Sequence, residues 1–160
     1  MTAMKPPTTI TELRQQPRPR LMENYFYYIA VVLFVTATIK IISAFGSARI
    51  LTTPDPVFGL TYRWLYACVA LIELLVAFAG LFRVTTDATT LMLFTWLGGC
   101  FLIYHGAVYM MNAPEPCGCL GLATDWWPWL GRHYSSVTFS FAITMVVGSF
   151  LFLSNEKYKS

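Results

Sequence analysis

The fold turns on the run YFYYIAVVLFVTATIKIISAF, Tyr25 to Phe45. It is apolar almost throughout, and at about 1.5 Å per residue a helix of this length crosses a hydrocarbon core about 30 Å thick. Tyr25, Phe26, Tyr27 and Tyr28 open it, where an interfacial aromatic belt is expected. One charge interrupts it, Lys40.

Three further runs of the same kind follow, from about Leu60 to Phe82, Ala88 to Met111 and Tyr134 to Leu153. The composition agrees. Of the 160 residues 56% are hydrophobic and 12% charged, with a mean hydropathy of +0.56. A soluble domain carries about 25% charged residues, so most of this chain has no face suited to water. Short connectors between four spans predict antiparallel neighbours. The expected fold is an all-α polytopic membrane protein, an up-down-up-down bundle of four transmembrane helices. Residues 1–22 read as a flexible cytoplasmic tail, 23–155 as the transmembrane domain (spans about 25–45, 60–82, 88–111 and 134–153) and 156–160 as a C-terminal tail. Asp87 and Ser135 are the expected N-caps of the last two helices, and Gly46 and Gly80 the terminators of the first two. Gly98 and Gly99 suggest a close helix approach.

The first 20 residues are polar, with four prolines, and do not read as a cleavable leader. Lys5, Arg14, Arg18 and Arg20 in this tail are available to anionic lipid. The net charge of +3 is too small for nucleic-acid binding. Lys and Arg near the span ends number seven on one side (Lys5, Arg14, Arg18, Arg20, Arg83, Lys157, Lys159) and three on the other (Arg49, Arg63, Arg132). The positive-inside rule then places both termini in the cytoplasm of a bacterial inner membrane. The two remaining connectors face the periplasm.

The first outer connector is Thr52-Thr53-Pro54-Asp55-Pro56-Val57-Phe58-Gly59, stiffened by its prolines. The second contains Pro116-Cys117-Gly118-Cys119-Leu120-Gly121 and then Trp126, Trp127, Pro128 and Trp129, whose indoles suit the outer headgroup level. Cys117 and Cys119 are the candidate catalytic residues. With one residue between them they close only a small, strained ring, whose disulfide is easily reduced. The compartment is one where disulfides persist. Two thiolates turned outward can instead hold copper or zinc, and a pair of unconnected cysteines in a turn is the third reading. Cys68 and Cys100 fall inside apolar runs, where a free cysteine packs as a small apolar residue; a second redox pair is the rival.

Glu73 lies in the middle of the second span, where a carboxylate is costly and faces the bundle interior. Its partners are sought in Lys40 and Arg63. The depths do not match well: Lys40 lies about 8 Å and Glu73 about 20 Å from the outer end at about 1.5 Å per residue. A protonated Glu73 bonded to a hydroxyl is the alternative. His105, inside the outer end of the third span, is a fourth site-organising candidate. It reads either as a core histidine bonded to an acceptor or, with Met110, Met111 and the two thiols, as part of a loose set of copper ligands.

Lys40 late in the first span, Asp55-Pro56-x-Phe58-Gly59, Arg63 and Glu73 on the second, and Cys117-Gly118-Cys119-Leu120-Gly121 before the fourth together resemble the MauE/DoxX-like redox-associated membrane proteins. The likeness covers Tyr25 to Leu153. It implies a role linked to maturation of the disulfide-rich small subunit of methylamine dehydrogenase, as for MauE. DoxX-type relatives imply quinone-linked sulfur oxidation or membrane oxidoreductase complexes. The C-x-x-C of vitamin K epoxide reductase-type enzymes is absent, so their quinone mechanism does not carry over, although a quinone stays open as a cofactor.

The sequence thus leads to a membrane protein whose periplasmic loop performs or assists thiol–disulfide exchange on a protein partner, with no resident cofactor. A non-catalytic subunit or anchor of a larger complex, and a copper- or zinc-handling protein, are the rivals.

Overall fold

In the computed structural model, residues 20–46, 49–82, 84–111 and 128–157 are described. They form four long helices: α1 (Arg20–Ala44), α2 (Tyr62–Phe82), α3 (Asp87–Met110) and α4 (Pro128–Lys157). A short 3-10 turn, Arg49–Thr52, follows α1. Among the described residues there is no strand, and an isolated bridge joins Pro54 to Thr61. All four helices are long and apolar enough to cross a membrane, as the sequence predicts.

The ends differ from expectation in instructive ways. Thr86, not Asp87, caps α3: it sits at φ −67° and ψ 155°, and its hydroxyl accepts from the Thr89 amide at 3.3 Å. Asp87 is instead the acidic residue of the first turn, where it meets the positive end of the helix dipole. Helix α4 begins at Pro128, whose fixed φ and missing N–H suit the first helical position, so Ser135 lies inside the helix and not at its start. Gly46 does close α1, donating its amide to the Ser43 carbonyl at 2.9 Å. Gly80 lies within α2 and ends nothing. A Cβ there would stand 3.0 Å from the Phe94 ring and 3.4 Å from Ala30, so this glycine lets α3 close on the α1–α2 pair.

Helix α1 packs chiefly on α2, and α3 on α4. The second contact runs through Gly98, where a Cβ would come within 3.0 Å of both Met145 and Val146. A side chain at Gly99 would meet nothing within 4 Å, so only one of the two glycines serves the approach. The two pairs share one core of Phe26, Ile29, Leu33, Leu91, Phe94 and Met145, all fully buried. Tyr25 ties α1 to α4, its hydroxyl reaching the Met145 carbonyl and Ser149 Oγ, each at 3.0 Å. The start of α1 thus meets the end of α4, and the end of α2 meets the start of α3. These contacts are consistent with an alternating bundle.

The outer faces are as apolar as the inner ones. Phe34, Leu71, Leu75, Trp96, Ile103 and Phe150 are all exposed, as residues that contact lipid chains must be. Several hydroxyl side chains within the spans are satisfied locally. Thr38, Ser43, Thr95 and Thr144 each donate to the carbonyl four residues back, at 2.7–2.9 Å.

Candidate functional site

Among the described residues, one buried polar group lies in the α1–α2 contact and another where the first connector meets α3. In the first, Lys40 Nζ lies 2.7 Å from Glu73 Oε1 and 3.0 Å from Oε2, with side-chain exposures of 6% and 1%. Thr36, one turn before Lys40, donates its hydroxyl to Glu73 Oε2 at 3.3 Å. Lys40 is therefore the partner of Glu73.

The depth mismatch disappears because the two helices are not level. Ala30 faces Gly80 and Thr36 reaches Glu73, and this antiparallel register puts Lys40 beside Ala70. About 4.5 Å of helix rise then separates Lys40 from Glu73, within the span of a lysine stem that turns inward instead of snorkelling out. The first residues of α2 lie beyond the end of α1, and Arg63 is among them. Its Nη2 donates to the Gly46 carbonyl at 3.1 Å, so Arg63 ties the loop after α1 to the start of α2, away from Glu73.

The second group is built on Asp55, which is 1% exposed. Its Oδ1 accepts from the amides of Val57 at 2.9 Å and Phe58 at 2.8 Å, the pattern by which Asp shapes its own turn. The Asp55 carbonyl accepts from Gly59, and the Asp55 amide donates to Leu60 at 2.7 Å. Closing so tight a loop requires a left-handed residue, and Gly59 supplies it at φ 68°. The remaining oxygen, Oδ2, accepts from the Tyr104 hydroxyl at 2.6 Å. The Phe58 ring lies parallel to the Tyr104 ring, centroids 5.9 Å apart. One carboxylate thus both folds the connector and fastens it to α3.

His105 adjoins this latch. It is half-buried, with its ring edge-on to Tyr104 at 6.0 Å. Tyr109, Met110 and Met111 beyond it are exposed. Among the described residues no group of three or more His, Cys, Asp or Glu is gathered as a metal site. Cys68 and Cys100 correct the core-packing expectation: both are free cysteines and both are exposed. A span that is apolar on every side does not reveal which face its cysteine takes.

Cys117 and Cys119 lie outside the described residues, as do Trp126 and Trp127. Their connector leaves α3 after Met110 and returns at Pro128, with Trp129 already in the first turn of α4. Sequence reasoning found Lys40 and Glu73 but not Thr36 or Tyr104. The Asp55 turn was legible in its Asp-Pro-x-Phe-Gly pattern, whereas its partner, 49 residues away, carries no local signal.

Comparison with known proteins adds one match. The family described as methylamine utilisation protein MauE matches over residues 19–154. No curated protein and no solved structure matches the chain.

Proposed function

The chain belongs to the MauE family, and from that premise we propose that it is a membrane-embedded assistant of thiol–disulfide chemistry, using Cys117 and Cys119 on a periplasmic protein partner. It is a multi-pass membrane protein with four apolar helices. The bilayer is that of a bacterial inner membrane, with both termini cytoplasmic by the distribution of Lys and Arg.

The observation that carries the reading is the fixed end of the bundle next to the cysteine connector. The Asp55–Tyr104 latch holds the first connector on α3 about two turns before that helix ends, and the chain continues from that helix into residues 112–127, which include Cys117 and Cys119. Lys40 and Glu73 hold α1 and α2 in register, and Arg63 ties the loop after α1 to the start of α2. His105 adjoins the latch through its ring contact with Tyr104.

The exchange balances on sulfur alone. One thiolate of the pair attacks a partner disulfide, expelling the partner's other sulfur as a thiolate and leaving a mixed disulfide. The second cysteine of the pair then attacks that bond, so the loop is oxidised by two electrons and the partner reduced by two. Run backwards, the same steps transfer the loop's disulfide to a reduced partner, the direction that maturation of a disulfide-rich subunit requires.

The test is differential alkylation in membranes, with and without reductant. A Cys117–Cys119 fraction that becomes alkylatable only after reduction supports the proposal, as does a trapped mixed disulfide in Cys119→Ser or Cys117→Ser. Cysteines that remain reduced in cells, together with serine variants that leave partner maturation intact, would leave the chain as a non-catalytic subunit.

A further inference from the structure

Helices α2 and α3 meet at Gly80 and Phe94. Toward their other ends a half-open cavity of about 320 Å³ lies between them. On α2 it runs from Tyr62 to Ile72, the midpoint of that helix, over about 15 Å of helix rise. On α3 it runs from Trp96, near the middle, to Tyr104 at the latch, over about 12 Å. Half of a hydrocarbon core about 30 Å thick is about 15 Å. The cavity is therefore one leaflet deep, starting at the Asp55 connector and stopping near the middle of both helices.

We infer that this cavity seats one acyl chain of a bilayer phospholipid, drawn from the leaflet on the connector side. Its mouth continues the surface that meets lipid. Phe58, Leu60 and Trp96, which line it, are more than half exposed, and Cys68 and Cys100 are exposed beside them. Hydrocarbon lies against that mouth, and an unfilled void would forfeit the dispersion contacts of its walls. Water has little to hold inside. Lys40 Nζ is taken by Glu73 and the Tyr104 hydroxyl by Asp55, whereas a buried water needs about two to four polar partners.

The shape selects a chain and not a helix. Spread over about 12–15 Å, the volume gives a mean cross-section of about 20–27 Å², against about 80–110 Å² for a helix 10–12 Å across. A partner helix crossing the whole bilayer would also run into the closed end at Gly80 and Phe94. Lys40 and Phe101 both stand in the wall, with Nζ 5.9 Å from the ring centroid. A chain seated against them keeps water from the Lys40–Glu73 contact, so lipid completes the packing around the ion pair. The seat does not depend on whether Cys117 and Cys119 exchange disulfides, and the two proposals fail separately.

The experiment is photolabelling of the purified full chain in nanodiscs of phosphatidylcholine, part of which carries a diazirine on one acyl chain, with adducts mapped by peptide mass spectrometry. With the diazirine near the methyl end, adducts are expected at Ile72, Leu97 and Phe101 in excess over Leu75, Ile103 and Phe150, although these three are 63%, 75% and 66% exposed. Moving the diazirine toward the carbonyl end is expected to shift the labelling to Leu65 and Tyr104. Val69→Phe and Cys100→Phe fill the cavity and are expected to lose the excess while keeping the adducts at Leu75, Ile103 and Phe150. Gel-filtration profiles matching the parent show that these variants fold. Labelling of the parent that follows exposure alone, that ignores the position of the diazirine, or that survives both filling variants would overturn the inference. So would a bismaleimide cross-link between the Cys100 residues of two copies that removes the lipid adducts, since a second chain would then hold the cavity.

Discussion

Lys40 and Glu73 form a buried ion pair between α1 and α2, Nζ 2.7 Å from Oε1, inside helices whose other faces are apolar. In hydrocarbon either charge alone is costly, so the pair fixes how far α1 can slide along α2. Thr36 adds a second point on the same register.

Breaking the pair from one side leaves an uncompensated charge. Lys40→Met or Glu73→Leu should each destabilise the bundle by about 3–5 kcal/mol, whereas Lys40→Met/Glu73→Leu should recover most of that loss. Thermal unfolding in detergent across the four proteins of this cycle measures it. Additive losses would show that the contact contributes nothing.

Two adjacent glycines should behave oppositely. Gly98→Ala places a Cβ 3.0 Å from Met145 and Val146 and 3.1 Å from the Ala142 carbonyl, an overpacking that costs about 1–3 kcal/mol. Gly99→Ala meets nothing within 4 Å and should be neutral or slightly stabilising, since alanine is the better helix former. The unfolding midpoints of the two variants decide it.

The connector latch predicts local loosening. Tyr104→Phe takes a hydroxyl from the buried Asp55 Oδ2 and should cost about 1–3 kcal/mol. Asp55→Ala also removes the acceptor of the Val57 and Phe58 amides. Hydrogen exchange at those two amides should rise sharply in Asp55→Ala and less in Tyr104→Phe, because the latter keeps the turn and loses only its anchor.

Cys68→Ala and Cys100→Ala should each change stability by no more than about 0.5 kcal/mol, because both side chains are exposed and leave no sealed cavity. A lipid-soluble maleimide should label both thiols without prior reduction. A loss of several kcal/mol would return these cysteines to the core.

The sequence by itself determined the number of spans, the all-α class and the family, because each depends on properties summed over about 20 residues or on short patterns such as Asp55-Pro56-x-Phe58-Gly59. It also named Glu73 as a residue in need of a partner. Only the tertiary structure decided that Lys40 meets it, that Arg63 serves the loop instead, and that Tyr104 secures Asp55. These contacts join residues 33, 17 and 49 positions apart, and they depend on how far one helix is shifted along another. The exposure of Cys68 and Cys100 was hidden for a related reason. In a water-soluble helix the polar face marks the outside, but in lipid both faces are apolar, and inside is told from outside only by which helices meet.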